Sequence, residues 1–200
     1  MNLGFVGDVR AGLATSAFGS DRDAVMLAGN ASWAASWRPE QLLSLKGQLG
    51  TRVEDGGAQN TDLALTARGY WRWNSRWMSF AGIEGRWTQN LDPDQQVLLG
   101  GDNGLRGFPL RFQSGNASAL ATVEQRLFTS WEPFRLVRVG GAVFFDAGRT
   151  WGGPPGPDSG RWLKDVGVGL RLGNSRSSRG NVIHIDLAMP LDATDRVDGL

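Results

Sequence analysis

Apolar residues occupy every second position over most of the chain, and charged residues fall between them. Residues i, i+2 and i+4 of a β-strand project from one face of a sheet, and a helix cannot sustain that alternation. In the third such segment, Leu43, Leu45 and Leu49 alternate with Lys46 and Gln48. Nine segments show the pattern, at about residues 3–13, 25–37, 43–53, 63–73, 77–87, 123–127, 137–147, 166–172 and 183–187. The chain is therefore predicted to be all-β.

Residues typical of turns separate these segments. They are Asp55-Gly56-Gly57, Asn74-Ser75, the run from Gly152 to Pro157, Gly173-Asn174 and Arg179-Gly180-Asn181. Long strands joined alternately by short turns and by longer Gly- and Asp-rich loops are typical of outer-membrane β-barrels. We expect one domain over residues 1–200, in which an antiparallel meander of nine strands forms part of a transmembrane outer-membrane β-barrel.

A soluble β-sandwich or lipocalin-like barrel is the alternative, because its strands alternate as well. Such a protein packs its apolar face inward, whereas here the apolar face is rich in small residues and the polar face carries many charges of both signs. Gln125 is an exception, since it is polar and lies on the apolar face of its segment. Tryptophans near strand ends also suit a membrane interface; they are Trp33, Trp37, Trp71, Trp73, Trp77, Trp87 and Trp151. Both features favour the membrane barrel.

Composition excludes several function classes. The absence of cysteine removes disulfide scaffolds, thiolate metal sites and cysteine nucleophiles. Charges are scattered and sum to +1, so no nucleic-acid partner is expected. No apolar run approaches the roughly 18 residues of a membrane-spanning helix. The single histidine, His184, lies beside Asp186 rather than beside a nucleophile, so we expect no enzyme activity, no catalytic residue, no metal and no cofactor.

One long Gly-rich interval, between the fifth and sixth segments, carries Leu98-Leu99-Gly100-Gly101-Asp102-Asn103-Gly104-Leu105-Arg106-Gly107-Phe108-Pro109. An arginine between flexible residues is on its own an ordinary loop feature. The string Leu-Gly-Gly, followed after four residues by Arg-Gly-Phe, nevertheless resembles the signature loop of the BamA/TamA-like outer-membrane assembly and translocation superfamily, also called bacterial surface antigens. In that family the loop folds back into the barrel lumen.

Two further segments strengthen the resemblance. Glu124 and Arg126 resemble the family's Glu-x-Arg strand, and Phe144-Phe145-Asp146-Ala147-Gly148 resembles its Phe-x-Asp-x-Gly strand. The runs Asp165–Arg171 and Ile183–Ala188 are similar to its penultimate strands, so the resemblance covers about residues 95–191.

The resemblance implies specific contacts. Arg106 is expected to pair with Asp146, with Glu124 as a second carboxylate for the same guanidinium. Phe108 is expected to pack on the inner wall, while Gly107 and Gly148 allow close backbone approach. The alternative for Glu124, Arg126, Asp165 and Arg171 is a salt-bridge lattice that only stiffens the barrel.

The family also implies a sixteen-stranded barrel in the bacterial outer membrane, preceded by a signal peptide and periplasmic domains. This chain is therefore expected to be a C-terminal portion that lacks the last strand. Its expected function is assembly or insertion of outer-membrane proteins, or protein translocation. The implied partners are the outer-membrane bilayer, unfolded outer-membrane or secreted client proteins, and periplasmic domains or accessory proteins missing from this chain. Two alternatives stay open, namely a passive porin and the membrane anchor of a patatin-like lipase, although no Gly-x-Ser-x-Gly elbow occurs here.

Overall fold

A computed structural model describes residues 3–133, 136–153, 160–174 and 182–192. Nine long strands form one antiparallel sheet in which each strand pairs with its neighbours along the chain. They are β1 (Gly4–Ala14), β2 (Ala24–Ala35), β3 (Gln41–Glu54), β4 (Gly57–Arg72), β5 (Trp77–Gln89), β8 (Ala117–Phe128), β9 (Val137–Trp151), β10 (Leu163–Asn174) and β11 (Val182–Pro190). The predicted all-β meander of nine strands is confirmed.

The loop between β5 and β8 holds a short second sheet, in which β6 (Val97–Leu99) pairs with β7 (Gln113–Gly115). We call the end of the main sheet that carries this loop the loop end, and the opposite end the short-turn end. Within the described ranges, the helices include none that is both long and apolar enough to cross a membrane.

The two faces of the sheet differ as the alternation predicts. Ile83, Val143 and Leu187 on the apolar face are 63%, 54% and 76% exposed, whereas Asp146 and Asp165 on the polar face are fully buried. A soluble sandwich would bury its apolar face against a second layer. The apolar face of this sheet is instead open to its surroundings, which is the arrangement of a lipid-facing barrel wall.

Tryptophans form two belts on the apolar face. Trp87, Trp151 and Trp162 lie near the loop end, and Trp33, Trp37, Trp71, Trp73, Trp77 and Trp131 near the short-turn end. Trp77 and Trp87 are ten residues apart on β5, or about 33 Å along the strand. With the usual barrel tilt of about 40°, the belts are about 25 Å apart in depth, close to the apolar band of an outer-membrane barrel.

The exceptional Gln125 is accounted for by its neighbours near the short-turn end. Trp73 Nε1 donates a hydrogen bond of 2.7 Å to Ser79 Oγ, and that hydroxyl donates one of 2.6 Å to Gln125 Oε1. A polar residue on the apolar face is thereby paired at the level of a tryptophan belt, where Trp side chains typically place their N–H groups.

Two predicted turns are present and one is wrong. Asp55 and Gly56 have positive φ values of 50° and 75°, as a two-residue hairpin turn requires, and the Asn74 side chain accepts backbone hydrogen bonds that close the β4–β5 turn. Gly173 and Asn174, however, lie in β10 and pair with β9, because strand pairing there overrides their local turn preference. Residues 154–157 and 179–181, also predicted as turns, lie outside the described residues.

The main sheet has two edges. In the described part of the chain, β1 pairs only with β2, and β11 pairs only with β10. The nine strands therefore form an open sheet in this structure, and the sixteen-stranded closed barrel stays a prediction.

Candidate functional site

The loop between β5 and β8 folds back over the polar face of the sheet. Its tip is held by Asn103, whose side-chain oxygen accepts from Gly100 N at 2.6 Å and whose amide donates to the Leu98 carbonyl at 2.6 Å. Leu105 N also donates to the Gly100 carbonyl at 3.0 Å. These bonds make the tip compact, so the motif from Leu105 to Phe108 is presented to the wall in a defined orientation.

The loop is anchored near its base as well. Arg52 on β3 donates hydrogen bonds of 3.1 and 3.0 Å to the two carboxylate oxygens of Asp92, and Asn60 bonds the same residue. Hydrogen bonds from Arg52, and then from Asn60, hold the pKa of Asp92 below its usual value. The loop is thus fixed to β3 and β4 before it turns over the polar face.

A small apolar core lies between the loop and the wall. Leu105 is fully buried, Phe108 is 5% exposed, and the Phe108 and Phe112 rings lie 5.3 Å apart. The wall contributes Leu120 from β8 and Leu163 from β10 to the same buried cluster. Burial of this apolar surface stabilises the docked loop, and it places Phe108 on the inner wall as expected.

The structure brings Arg106 and Asp146 together. Arg106 Nε and Nη2 donate to the two Asp146 carboxylate oxygens at 2.7 and 3.0 Å, a two-bond fork. The guanidinium carbon also lies 3.3 Å from the centroid of the Phe144 ring, so the cation stacks on an aromatic face. The side chain is therefore positioned both by charge and by packing.

The third guanidinium nitrogen, Nη1, contacts two more carboxylates. It lies 3.3 Å from Glu124 Oε2 and 3.0 Å from Asp186 Oδ2. Glu124 was expected from the sequence, and Asp186 was missed; the signal available was that Asp186 shares the polar face of its strand. One cation thus links the loop to β8, β9 and β11.

The surrounding arginines extend this network. Arg126 Nε donates to Glu124 Oε1 at 2.8 Å, Arg171 Nη2 donates to the same oxygen at 2.9 Å, and Arg171 also bonds Asp186. Burial acts to lower the pKa of the Arg106 guanidinium, but its bonds to Asp146 and Asp186 outweigh that effect and raise the pKa above its usual value. The cation is consequently permanent at any physiological pH.

Asp165 departs from the expected lattice. It is fully buried and lies directly opposite Asp146 in the β9–β10 ladder, yet neither of its carboxylate oxygens has a hydrogen-bond partner among the described residues. The alternative lattice therefore forms through Glu124, Arg126 and Arg171 without Asp165. The reason is geometric, since the Arg106 fork is already directed at Asp146.

Glycines allow the close approaches at this site. A Cβ atom on Gly107 would lie 2.6 Å from Asp165 Cβ, and one on Gly148 would lie 2.9 Å from Leu99 Cδ2, as expected for both positions. Two more were missed by sequence analysis. A Cβ on Gly167 would overlap the Phe144 ring, and one on Gly169 would overlap Asp186 Oδ1. These β10 glycines leave room for the groups that surround Arg106.

A polar cavity of about 530 Å³ lies beside the docked loop. Its lining includes Arg68, Glu84, Asp102, Arg126 and His184. In the part of the chain that is described, no group of three or more His, Cys, Asp or Glu side chains is arranged to hold a metal ion. The geometry is suited to holding a loop in a charged, water-accessible space.

Residues 2–199 match the family model described as the Omp85 superfamily domain. No curated protein matches the chain.

Proposed function

The chain belongs to the Omp85 superfamily, and from this premise we propose that it forms the loop-bearing part of an outer-membrane barrel that inserts other β-barrel proteins or carries a partner protein across the membrane. The superfamily is one of outer-membrane proteins of assembly and translocation. The observation that carries the proposal is the contact of the loop cation Arg106 with Asp146, Glu124 and Asp186.

The Arg106 contacts act as a latch. Because β8, β9 and β11 each supply one carboxylate, the docked loop fixes the relative positions of three wall strands as well as its own. A barrel that handles unfolded client proteins needs an interior of defined shape beside a wall that can give way. The latch supplies the first requirement, and the apolar outer face with its two tryptophan belts supports residence in the outer membrane.

The test removes the latch and measures client proteins. Cells whose only copy carries Arg106→Ala or Asp146→Ala are expected to contain less folded outer-membrane protein, or to secrete less partner protein, because the loop loses its fork. The matched control is Arg86→Ala, since Arg86 pairs with Asp62 on the polar face at 2.6 Å and does not line the cavity beside the loop. Normal client levels with a folded, membrane-inserted Arg106→Ala protein would contradict the proposal.

The charged cavity beside the loop supports a second candidate, a passive porin. Ion conductance across planar bilayers discriminates the two. A porin requires steady conductance in the unmodified protein, unchanged by Asp146→Ala, together with normal client levels in the cell. An assembly barrel requires the loop to obstruct the interior, so conductance is expected to rise when Asp146→Ala frees it.

A further inference from the structure

The apolar face of the sheet carries very few charges. On all nine described strands, the charged residues that share the outward parity are only two, Arg149 on β9 and Lys164 on β10. Both are cationic, and both lie near the loop end on neighbouring strands. Lys164 on β10 is opposite Ala147 on β9. Ala147 is the outward-facing residue next to Arg149 on β9. Among the strand residues of outward parity there are thus two adjacent cations and no anion, and Asp192, just beyond β11, is the carboxylate paired with Lys164.

Arg149 lies beside two aromatic rings. Its guanidinium carbon lies 5.5 Å from the Trp151 ring centroid and 5.7 Å from that of Trp162. Its Nε is buried and has no hydrogen-bond partner among the described residues, and none of the described carboxylates forms an ion pair with Arg149. By contrast, Arg106, Arg126 and Arg171 on the polar face are all bonded to carboxylates. A guanidinium without a carboxylate partner keeps charged N–H donors for an anionic ligand.

The depth of Arg149 matches a lipid headgroup. Arg149 precedes Trp151 by two residues on β9 and is therefore nearer the middle of the strand. Trp151 belongs to the tryptophan belt at the loop end. Two residues correspond to about 7 Å along a strand, so an arginine side chain at this depth reaches the interface by extending along the wall. Anionic headgroups attract such interfacial cations.

The surface beside Arg149 has room for a lipid. Directly beside Arg149 in the ladder is Ala119 on β8, and beside Ala119 is Gly85 on β5. The next outward positions toward the middle of the strands include Ala121 and Ala147. These small side chains form a low floor bounded by the belt tryptophans. Lys164 is half-exposed on the far side, with one long ion pair of 3.5 Å to Asp192.

We propose that Arg149, with Lys164, binds the phosphate of an anionic lipid in the leaflet at the loop end, and that the alanine floor receives part of an acyl chain. The proposal rests on the outer-membrane location proposed above. A guanidinium beside two tryptophans offers a fixed fork to phosphate oxygens, and the ammonium group adds a second charge. Apolar contact with a lipid is available everywhere on this face, whereas the two outward cations occur only here on the described strands. The site is therefore specific for the phosphate group.

The test measures lipid binding by native mass spectrometry of the intact protein in an uncharged detergent. The probes are phosphatidic acid, which has a phosphate monoester, and diacylglycerol, which lacks it. Arg149→Gln is expected to weaken phosphatidic acid binding about tenfold, as loss of a charge-assisted bond predicts, and to leave diacylglycerol binding unchanged. Arg76→Gln is the matched control, because Arg76 is exposed in the β4–β5 turn at the short-turn end. Arg149→Lys keeps the charge without the fork. Its affinity for phosphatidic acid is therefore expected to lie between that of Arg149→Gln and that of the unmodified protein.

Three outcomes would overturn the proposal. One is equal phosphatidic acid binding by Arg149→Gln and the unmodified protein. Another is an equal loss in Arg76→Gln, which indicates a general charge effect. The third is full displacement of phosphatidic acid by millimolar inorganic phosphate, which assigns the site to free phosphate. Heat-dependent gel mobility verifies that each variant is folded. Client insertion is measured separately. A failure of lipid binding therefore does not contradict the proposed function, and a failure of client insertion does not contradict lipid binding.

Discussion

At the scale of single residues, the site depends on the shape of a guanidinium. Arg106 uses Nε and Nη2 for Asp146 and Nη1 for Glu124 and Asp186, so its planar set of N–H donors serves three carboxylates at once. A lysine would present one compact ammonium and could not form the fork. Asp165 is the least favourably placed charged residue of the site. It is buried opposite Asp146 without a hydrogen-bond partner in the described part of the chain.

These two aspartates predict opposite responses to loss of charge. Asp165→Asn is expected to leave the unfolding temperature unchanged or to raise it, because it removes repulsion between two buried carboxylates. Asp146→Asn is expected to lower it, since Arg106 loses its fork, at a cost on the order of 3 kcal/mol. Thermal unfolding in detergent, followed by circular dichroism, measures both. Equal destabilisation by the two variants would show that Asp165 has a stabilising partner.

At the scale of elements, the loop docks by close contact with β10 and β11 as well as by charge. Gly107 approaches Asp165 and the backbone at Met189 and Pro190, and the β10 glycines Gly167 and Gly169 make room for the Phe144 ring and the Asp186 carboxylate. Such contacts cannot adjust by rotating a side chain where the opposing atoms belong to the backbone. The fit of the loop is therefore sensitive to single methyl groups.

Gly107→Ala is accordingly expected to loosen the loop. The added methyl would overlap Asp165 and backbone atoms, and overpacking of this kind costs about 1–3 kcal/mol. Trypsin cleavage after Arg111, which is exposed in the same loop, should become about tenfold faster or more. Gly50→Ala is the control, because a Cβ there meets nothing within 4 Å. Unchanged cleavage of Gly107→Ala would mean that the loop is not held by this contact.

At the scale of the whole molecule, the main sheet has an exposed apolar face and an opposite polar face. The outer face is exposed and apolar between two tryptophan belts, and the loop covers part of the polar face. Both edge strands have one neighbour only in the described residues. Unpaired edges are not tolerated in lipid, so the prediction that further strands close a barrel retains its physical basis.

The two faces predict a contrast between substitutions at similar depth. Ile83→Arg places a charge on the apolar face near the middle of the span and is expected to destabilise by about 2–4 kcal/mol in a bilayer. Thr66→Arg places the same charge on the polar face, opposite Glu84 in the β4–β5 ladder, and is expected to change stability by less than about 1 kcal/mol. Folding in lipid vesicles at increasing urea concentrations measures the difference. Similar losses for both variants would contradict the assignment of faces.

The sequence by itself determined the strands, their faces and the loop motif. Strand formation and alternation depend on neighbours along the chain, so parity alone placed Val143 outward and Asp146 inward. The resemblance of residues 95–191 to a known superfamily indicated the Arg106–Asp146 contact, and the family match confirms that resemblance. Local composition misled at Gly173-Asn174, where pairing with β9 continues the strand.

Only the tertiary structure decided which side chains meet across strands. Parity assigns a face but not a register, and the loop must dock before Arg106 can select among the carboxylates of three strands. Asp186 as a partner and Asp165 as an unpartnered neighbour followed from that docking. The position of Arg149 beside Trp151 and Trp162 likewise depends on the β9–β10 register, because residues far apart in sequence become adjacent only when the ladder is fixed.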